Sequence, residues 1–174
     1  MSDRINEKKY PKVEIFTDGG VYPNPGKGSW AALLRFKDQE KMIYGSEAET
    51  TNNRMELTAV IQALKTLKFR CEVTITTDSE YVKNAMTKGW LKRWQEKNWT
   101  TSTKEPVKNI DLWVELQKQA ARHSLEWRWT RGHDGHPENE RVDATCSQIL
   151  KGLPLSDVAI KQKSLGQPLG QPEQ

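Results

Sequence analysis

The order of strand-like and helical segments restricts this chain to few topologies. Three strand-like segments come first, joined by short turns: KVEIFTDGG, WAALLRF and the short KMIYGSE. A helix at about 52–68 and a fourth strand, EVTITTD, follow them. Because short turns join antiparallel strands and helical crossovers join parallel ones, the pattern predicts a mixed sheet.

The second half of the chain continues this alternation. SEYVKNAM is predicted to begin another helix, and GWLKRWQEKNW continues in helical spacing. A further helix is predicted at NIDLWVELQKQAA, and LEWRWT alternates as a fifth strand. A last helix is predicted from about Pro137 or Glu138 to Leu150, since proline is favoured in a first turn. We therefore predict an α/β fold with one five-stranded mixed sheet flanked by helices.

Length and composition favour one globular domain. The chain has 174 residues, of which 35% are hydrophobic and 29% charged. No apolar run approaches the roughly 18 residues of a membrane span, and MSDRINEKKYPK lacks the apolar stretch of a secretory signal. We expect a cytoplasmic protein without membrane contact. Cys71 and Cys146 have no zinc-binding spacing, which favours reduced thiols in or near the core.

The ends of the chain differ from its middle. Residues 1–11 are predicted to be a flexible segment, and 12–151 to be the folded domain. Residues 152–174 lack apolar periodicity and contain LGQP twice, which predicts a flexible tail.

Positive charge is concentrated in one segment. The chain carries a net charge of +4, and residues 83–108 hold seven Lys or Arg against two Glu, so this segment carries 7 − 2 = +5. Trp90, Trp94 and Trp99 lie within it. The segment can be a helical hairpin whose tryptophans form a small core of their own, and it can at the same time bind a polyanion, because the rings can pack below while the lysines face phosphate.

Four carboxylates lie at positions that suggest a shared site. Asp18 and Asp78 are predicted to end the first and fourth strands. If those strands are parallel neighbours, both carboxylates lie at the sheet edge where ligands usually bind. Glu56 follows in the first turn of the first helix, and Asp143 lies in the last helix. Ionised carboxylates kept close together need cations between them, and oxygen-only ligands suit Mg²⁺ or Mn²⁺.

Each carboxylate also has an ordinary structural interpretation. Asp18 can be a turn residue, Asp78 can cap the helix that begins near Ser79, and Asp143 can be solvated. Asn53 followed by Glu56 has the spacing of a capping box. Taken one at a time, these interpretations are favoured over a catalytic one.

Five motifs in order favour the shared site. They are IFTDGG, TTNNRMEL, TTDSEYV, KEPVKNIDLW and RGHDGHPENERVDA. With these motifs the chain resembles a bacterial-type ribonuclease H of type 1, over residues 12–151. The resemblance implies the strand order 3-2-1-4-5. It also implies a monomeric endonuclease that cleaves the RNA strand of RNA–DNA hybrids, leaving 5′-phosphate and 3′-hydroxyl ends.

The resemblance also assigns catalytic residues. It implies two Mg²⁺ ions, replaceable by Mn²⁺, held by Asp18, Glu56, Asp78 and Asp143. Asp18 is expected to bridge the two ions, with Glu56 and Asp78 completing one coordination shell and Asp143 the other. His133 matches the catalytic histidine of the family and lies in a loop with two glycines, where it can move protons or assist product release.

The same resemblance predicts substrate contacts. Three asparagines match positions near the hybrid, two residues match a pocket for a phosphate of the DNA strand, and the +5 segment matches a basic protrusion that grips the hybrid. In that order these residues are Asn24, Asn52 and Asn53; Thr51 and Asn109; and Trp90, Lys92, Arg93, Trp94, Lys97 and Lys104. Glu49 and Glu80 depart from the family pattern, which has arginine and glutamine there, so they add negative charge beside the substrate.

Two other functions are compatible with such a fold. Resolvases, exonucleases and integrases also combine acidic clusters with two metal ions, so fold alone does not decide the substrate. A non-catalytic hybrid-binding module is the second alternative, but its acidic cluster would be expected to be incomplete. All four carboxylates are present in this chain.

Overall fold

One five-stranded sheet and five helices make up the part of the chain that the computed structural model describes, residues 9–131 and 136–153. In chain order the elements are β1 (Lys12–Val21), β2 (Gly26–Phe36), β3 (Gln39–Thr50), α1 (Asn52–Thr66), β4 (Glu72–Thr77), α2 (Glu80–Thr87), α3 (Trp90–Glu96), α4 (Ile110–Ala120), β5 (Ser124–Trp129) and α5 (Pro137–Leu150). None of these described helices is long and apolar enough to cross a bilayer.

The sheet has the expected strand order, β3-β2-β1-β4-β5. β1 pairs antiparallel with β2, and β2 pairs antiparallel with β3. On its other side β1 runs parallel to β4, which runs parallel to β5. The predicted mixed sheet is therefore confirmed, with β1 at its centre.

Three strands, β1, β2 and β3, are longer than the sequence suggested, and β2 begins at Gly26 instead of Trp30. β3 has 12 residues, and β1 continues to Val21 rather than ending at Asp18. The parallel ladder of β1 with β4 does stop at Phe16, but the antiparallel ladder with β2 continues and pairs Asp18 with Ala31. Asp18 therefore lies just beyond the parallel register, inside a strand whose backbone is fixed by β2.

Helices cover both faces of the sheet. α1 and α4 bury the larger core, which includes Ile15, Leu64, Ile75 and Trp113. α5 covers the opposite face over a smaller cluster that includes Leu33. The three tryptophans of the +5 segment pack against the larger core: Trp90, Trp94 and Trp99. The interpretation that they form a core of their own is therefore wrong: all three pack against the main core, and Trp94 contacts the fully buried Trp113.

The capping interpretations of two carboxylates are also wrong. Thr51 caps α1, and its Oγ1 accepts a hydrogen bond from the Arg54 amide, so Asn53 and Glu56 do not form a capping box. Ser79 rather than Asp78 caps α2, through Oγ accepting from the amide of Val82. In both cases a hydroxyl residue next to the start of the helix is the cap.

Candidate active site

The candidate site lies where the first turn of α1 closely approaches β1. A Cβ atom added to Gly19 would lie 2.5 Å from the Met55 carbonyl carbon and 2.6 Å from the Glu56 nitrogen. Only glycine fits between the strand and the helix there, so the first turn of α1 is held against the residue that follows Asp18. Gly19 was not among the predicted site residues, although a glycine within a strand signals such an approach.

Three carboxylates meet at this point. One ligand oxygen each from Asp18, Glu56 and Asp78 can be chosen so that all three lie within 4.8 Å of one another. β1 supplies Asp18, α1 supplies Glu56, and Asp78 follows directly after β4. The parallel pairing of β1 with β4 thus brings together the carboxylates that the sequence placed at one edge of the sheet.

The fourth carboxylate, Asp143, approaches from α5. Its side chain lies beside the Asp18 carboxyl group. Burial, with repulsion from Asp78 and Asp143, raises the pKa of Asp18 to about 8. Burial also raises the pKa of Glu56 to about 7, although a hydrogen bond with Ser79 opposes the shift.

The donor set fits a hard divalent cation. All four acidic side chains offer carboxylate oxygen, the preferred ligand of Mg²⁺ and Mn²⁺. The thiol of Cys146 lies nearby, with Sγ 3.6 Å from the Asp18 carbonyl oxygen. Burial, followed by the charge of Asp18, raises the pKa of this thiol. A protonated thiol is a poor metal ligand, so the cluster is an oxygen-only site.

Trp129 supports Asp78 from β5. Its indole Nε1 donates a hydrogen bond of 3.1 Å to the Asp78 carbonyl oxygen. Cationic groups of Lys83 and Arg131 lie 4.9 and 5.8 Å from the centroid of the Trp129 ring. Trp129 was also missed from the sequence, because its alternation in LEWRWT signalled only a strand.

The residues expected near the hybrid lie at the start of α1. The side-chain oxygen of Asn24 accepts a 3.3 Å hydrogen bond from the Asn52 amide. This bond ties the loop after β1 to the first helical residue, and Asn53 is exposed beside it. Thr51, Asn52 and Asn53 therefore share the end of α1 that carries Glu56.

Asn109 is connected to the start of α1 by a hydrogen bond from the side chain of Arg54. A nitrogen of Arg54 lies 3.3 Å from the Asn109 Oδ1 atom, and the guanidinium makes two bonds of 3.0 and 2.7 Å to Asp111. Asn109 Nδ2 donates to the Tyr81 hydroxyl at 3.1 Å. Arg54, Tyr81 and Asp111 were not predicted as site residues, though TTNNRMEL, TTDSEYV and KNIDLW contain them.

The basic protrusion, residues 83–108, combines exposed charge with packed rings. The four cationic side chains predicted to contact phosphates are all exposed: Lys92, Arg93, Lys97 and Lys104. Trp90 and Trp94 are partly buried, with ring centroids 6.1 Å apart, and Trp94 lies 5.5 Å from Trp113. The rings thus anchor the segment while the cations face solvent.

Three further positions were singled out from the sequence: Glu49, Glu80 and His133. Glu49 and Glu80, the two departures from the family pattern, are both exposed. His133 lies outside the described residues.

The sequence of this chain is similar to known sequences over most of its length. A family model described as RNase H matches residues 10–151. A ribonuclease H of Hydrogenovibrio crunogenus is 54% identical over 142 residues, which cover 82% of this chain and 97% of the relative. A ribonuclease H of Paramagnetospirillum magneticum is 57% identical over 141 residues, covering 81% and 91%.

Solved structures agree with the fold. LC9-RNase H1, described as a type 1 RNase H with the type 2 active-site motif, is 30% identical with a TM-score of 0.74. The match covers 83% of this chain and 74% of that protein.

Proposed function

This chain belongs to the ribonuclease H family, resembling bacterial type 1 members, and we propose that it hydrolyses the RNA strand of RNA–DNA hybrids as an endonuclease. One observation carries the proposal: ligand oxygens of Asp18, Glu56 and Asp78 lie within 4.8 Å of one another, and Asp143 lies beside Asp18. Such a cluster suits phosphoryl transfer.

The four carboxylates would hold two Mg²⁺ ions when substrate is bound, with Mn²⁺ as a substitute. We assign Glu56 and Asp78 to one ion, Asp143 to the other and Asp18 to both, because Asp18 lies against Glu56, Asp78 and Asp143. Bound ions would supply the positive charge that activates water and stabilises the leaving oxygen. Products with 5′-phosphate and 3′-hydroxyl ends follow from attack by water at phosphorus and departure of the 3′ oxygen.

His133 is proposed as the group that moves protons or assists product release. It lies between Gly132 and Gly135 in the sequence, shortly before α5, the helix that carries Asp143. An imidazole that titrates near neutrality suits either task.

Substrate selection is proposed to depend on short polar side chains at the start of α1. Asn24, Asn52 and Asn53 can reach the shallow minor groove of a hybrid, where the 2′-hydroxyl distinguishes RNA from DNA. Thr51 and Asn109 would bind a phosphate of the DNA strand. The protrusion would add contacts to further phosphates through its exposed lysines and its arginine. These groups surround the carboxylate cluster on neighbouring elements.

We further propose that the protein acts as a monomer in the cytoplasm. The large apolar side chains exposed in the described residues are few and scattered along the chain, on β3, on α4 and between or beyond elements: Tyr22, Tyr44, Phe69, Val114 and Leu153. Both cysteines are unpaired and buried, as is usual for proteins of a reducing compartment. Sedimentation at micromolar concentration tests the monomer.

A panel of substrates tests the proposed function. RNA–DNA hybrid, double-stranded RNA and double-stranded DNA of one sequence are each incubated with the protein and Mg²⁺, and then with EDTA. We expect cleavage of the hybrid alone, abolished by EDTA. Preferred cleavage of either other duplex would indicate another nuclease of this fold, and hybrid binding without cleavage would indicate a binding module.

A further inference from the structure

A hydrogen-bond chain of fixed direction runs between α1, α2 and α4. The indole Nε1 of Trp113 donates to the Tyr81 oxygen at 3.0 Å, and Asn109 Nδ2 donates to the same oxygen at 3.1 Å. At the other end, Arg54 Nη1 donates to Asn109 Oδ1 at 3.3 Å. Asp111 holds the Arg54 guanidinium by two further bonds.

The chemistry of the two ends fixes every direction in this chain. An indole and a guanidinium can only donate, so the Tyr81 oxygen must accept from Trp113, and Asn109 must turn Oδ1 toward Arg54. The opposite orientation of the Asn109 amide would place an N–H group against the donor-only guanidinium of Arg54. The Tyr81 hydroxyl can either accept from Nδ2 or donate to an oxygen, so Arg54 is the group that excludes this orientation. The amide of Asn109 is therefore locked in one of its two orientations.

With the Asn109 amide in this orientation, some hydrogen-bond donors near it have no acceptor among the described residues. Within residues 9–131 and 136–153, the second Nδ2 hydrogen of Asn109 has no acceptor. Thr51 is similar, because its Oγ1 accepts from the Arg54 amide and its hydroxyl hydrogen finds no acceptor in the same described ranges. Thr51 contacts the backbone amide of Arg54 and Asn109 contacts its guanidinium, so both unused donors lie beside this residue. Such an arrangement favours an anion.

We propose that Arg54 and Tyr81 are positioning residues that set the Asn109 amide to donate to a backbone phosphate of the hybrid. The proposal rests on the proposed function for the identity of the ligand. The Arg54–Asp111 pair is solvent-accessible, with 32% and 64% of the side chains exposed. A pair this exposed contributes little to stability, so its effect is expected in orientation and in binding.

A double-mutant cycle on hybrid affinity tests the proposal. The dissociation constant of the hybrid is measured in EDTA, where nothing is cut, for Asn109→Ala, Tyr81→Phe and both together. We expect Asn109→Ala to weaken binding about tenfold and Tyr81→Phe about threefold or more. In the double variant Tyr81→Phe should add less than about twofold, because it acts only through Asn109.

Two further variants complete the test. Arg54→Gln should also weaken binding in the parent and add nothing to Asn109→Ala. Tyr44→Phe is the matched control, since Tyr44 is a partly exposed tyrosine on β3 outside the chain of bonds. With Mg²⁺, KM should rise in the Tyr81 and Arg54 variants while kcat at saturation changes less than about twofold.

The results separate the proposal from the function on which it rests. Multiplicative losses in the double variant, or an unchanged affinity in Tyr81→Phe, would overturn the positioning role even if the hybrid is cleaved. A coupled cycle in a protein that binds hybrid but does not cleave it would uphold the positioning role and overturn the proposed function.

Discussion

Asp18 illustrates how a single residue combines folding and function. Its carboxyl group lies on the central strand, against Glu56, Asp78 and Asp143, so the metal-free protein keeps it protonated up to about pH 8. The cluster is unfavourable without a cation and becomes favourable with one. The pKa of Glu56 is also raised, to about 7.

This raised pKa predicts a stability that falls as pH rises. The unfolded chain releases the Asp18 proton near pH 4, whereas the folded metal-free protein keeps it to about pH 8. Between these values the folded state binds more protons, so the free energy of unfolding falls by up to about 1.4 kcal/mol per pH unit for this group. Asp18→Asn should flatten that decline, measured by thermal unfolding in EDTA from about pH 5 to pH 8.

The same variant separates stability from activity. Asp18→Asn is expected to be at least as stable as the parent at about pH 8 and to cleave hybrid at least about 10³-fold more slowly, because a ligand charge is removed. Asp38→Asn, in the exposed turn between β2 and β3, is the control and should leave both properties unchanged. Parallel pH profiles for parent and Asp18→Asn would show that the cluster does not strain the fold.

The packing of α1 on β1 determines the geometry of the site at the level of elements. Gly19→Ala would place a methyl group 2.5 Å from backbone of α1, and backbone cannot move aside as a flexible side chain can. We expect a loss of about 1–3 kcal/mol in stability and a larger loss of activity than of hybrid binding, because Glu56 is displaced.

Gly20→Ala is the matched control for this prediction. Its added Cβ would meet only Leu150 Cδ1, at an ordinary 3.7 Å. We expect a stability change within about 0.5 kcal/mol and normal cleavage. Chemical denaturation and cleavage rates of the two alanine variants provide the comparison, and equal behaviour would show that the approach of α1 at Gly19 does not position Glu56.

The protrusion is the second element whose role can be measured. If Lys92, Arg93, Lys97 and Lys104 bind phosphates, changing all four to Ala should weaken hybrid binding at low salt. The slope of log K against log salt should flatten by about 0.9 unit for each phosphate that is no longer bound. KM should rise far more than kcat falls, because the carboxylate cluster is unchanged.

A control that removes the same amount of charge makes this test specific. Lys41, Lys68, Lys118 and Lys151 are exposed lysines on other parts of the fold, and their change to Ala should affect the slope much less. Equal slopes for the parent and the protrusion variant would mean that the hybrid is bound elsewhere.

Sequence patterns predicted the elements well but not their contacts. Alternation and helical spacing located every strand and helix that the structure describes, because these periods follow from which side is buried. The extension of β1 past Asp18 could not be predicted, because it depends on the ladder with β2. Roles for Gly19, Arg54 and Tyr81 were missed for a similar reason: a close approach at a glycine or a shared hydrogen bond exists only once distant segments meet.

At the scale of the whole molecule, the described elements already contain the core and the carboxylate cluster. Removing residues 154–174 is therefore expected to leave hybrid cleavage within about twofold of the parent, since α5 ends at Leu150 and no catalytic carboxylate is assigned beyond it. The measurement compares unfolding and cleavage of the shortened and full chains. A shortened chain that fails to fold would show that the tail contributes to the structure.

The central claim is that the carboxylate cluster cuts the RNA strand of a hybrid. The most direct measurement uses one hybrid with different labels on its RNA and DNA strands, incubated with Mg²⁺ and either the parent or Asp78→Asn. We predict that the parent cuts only the RNA strand, leaving 5′-phosphate and 3′-hydroxyl ends, and that Asp78→Asn is folded but slower by about three orders of magnitude or more. Cleavage of the DNA strand, or a substantially active Asp78→Asn protein, would contradict the claim.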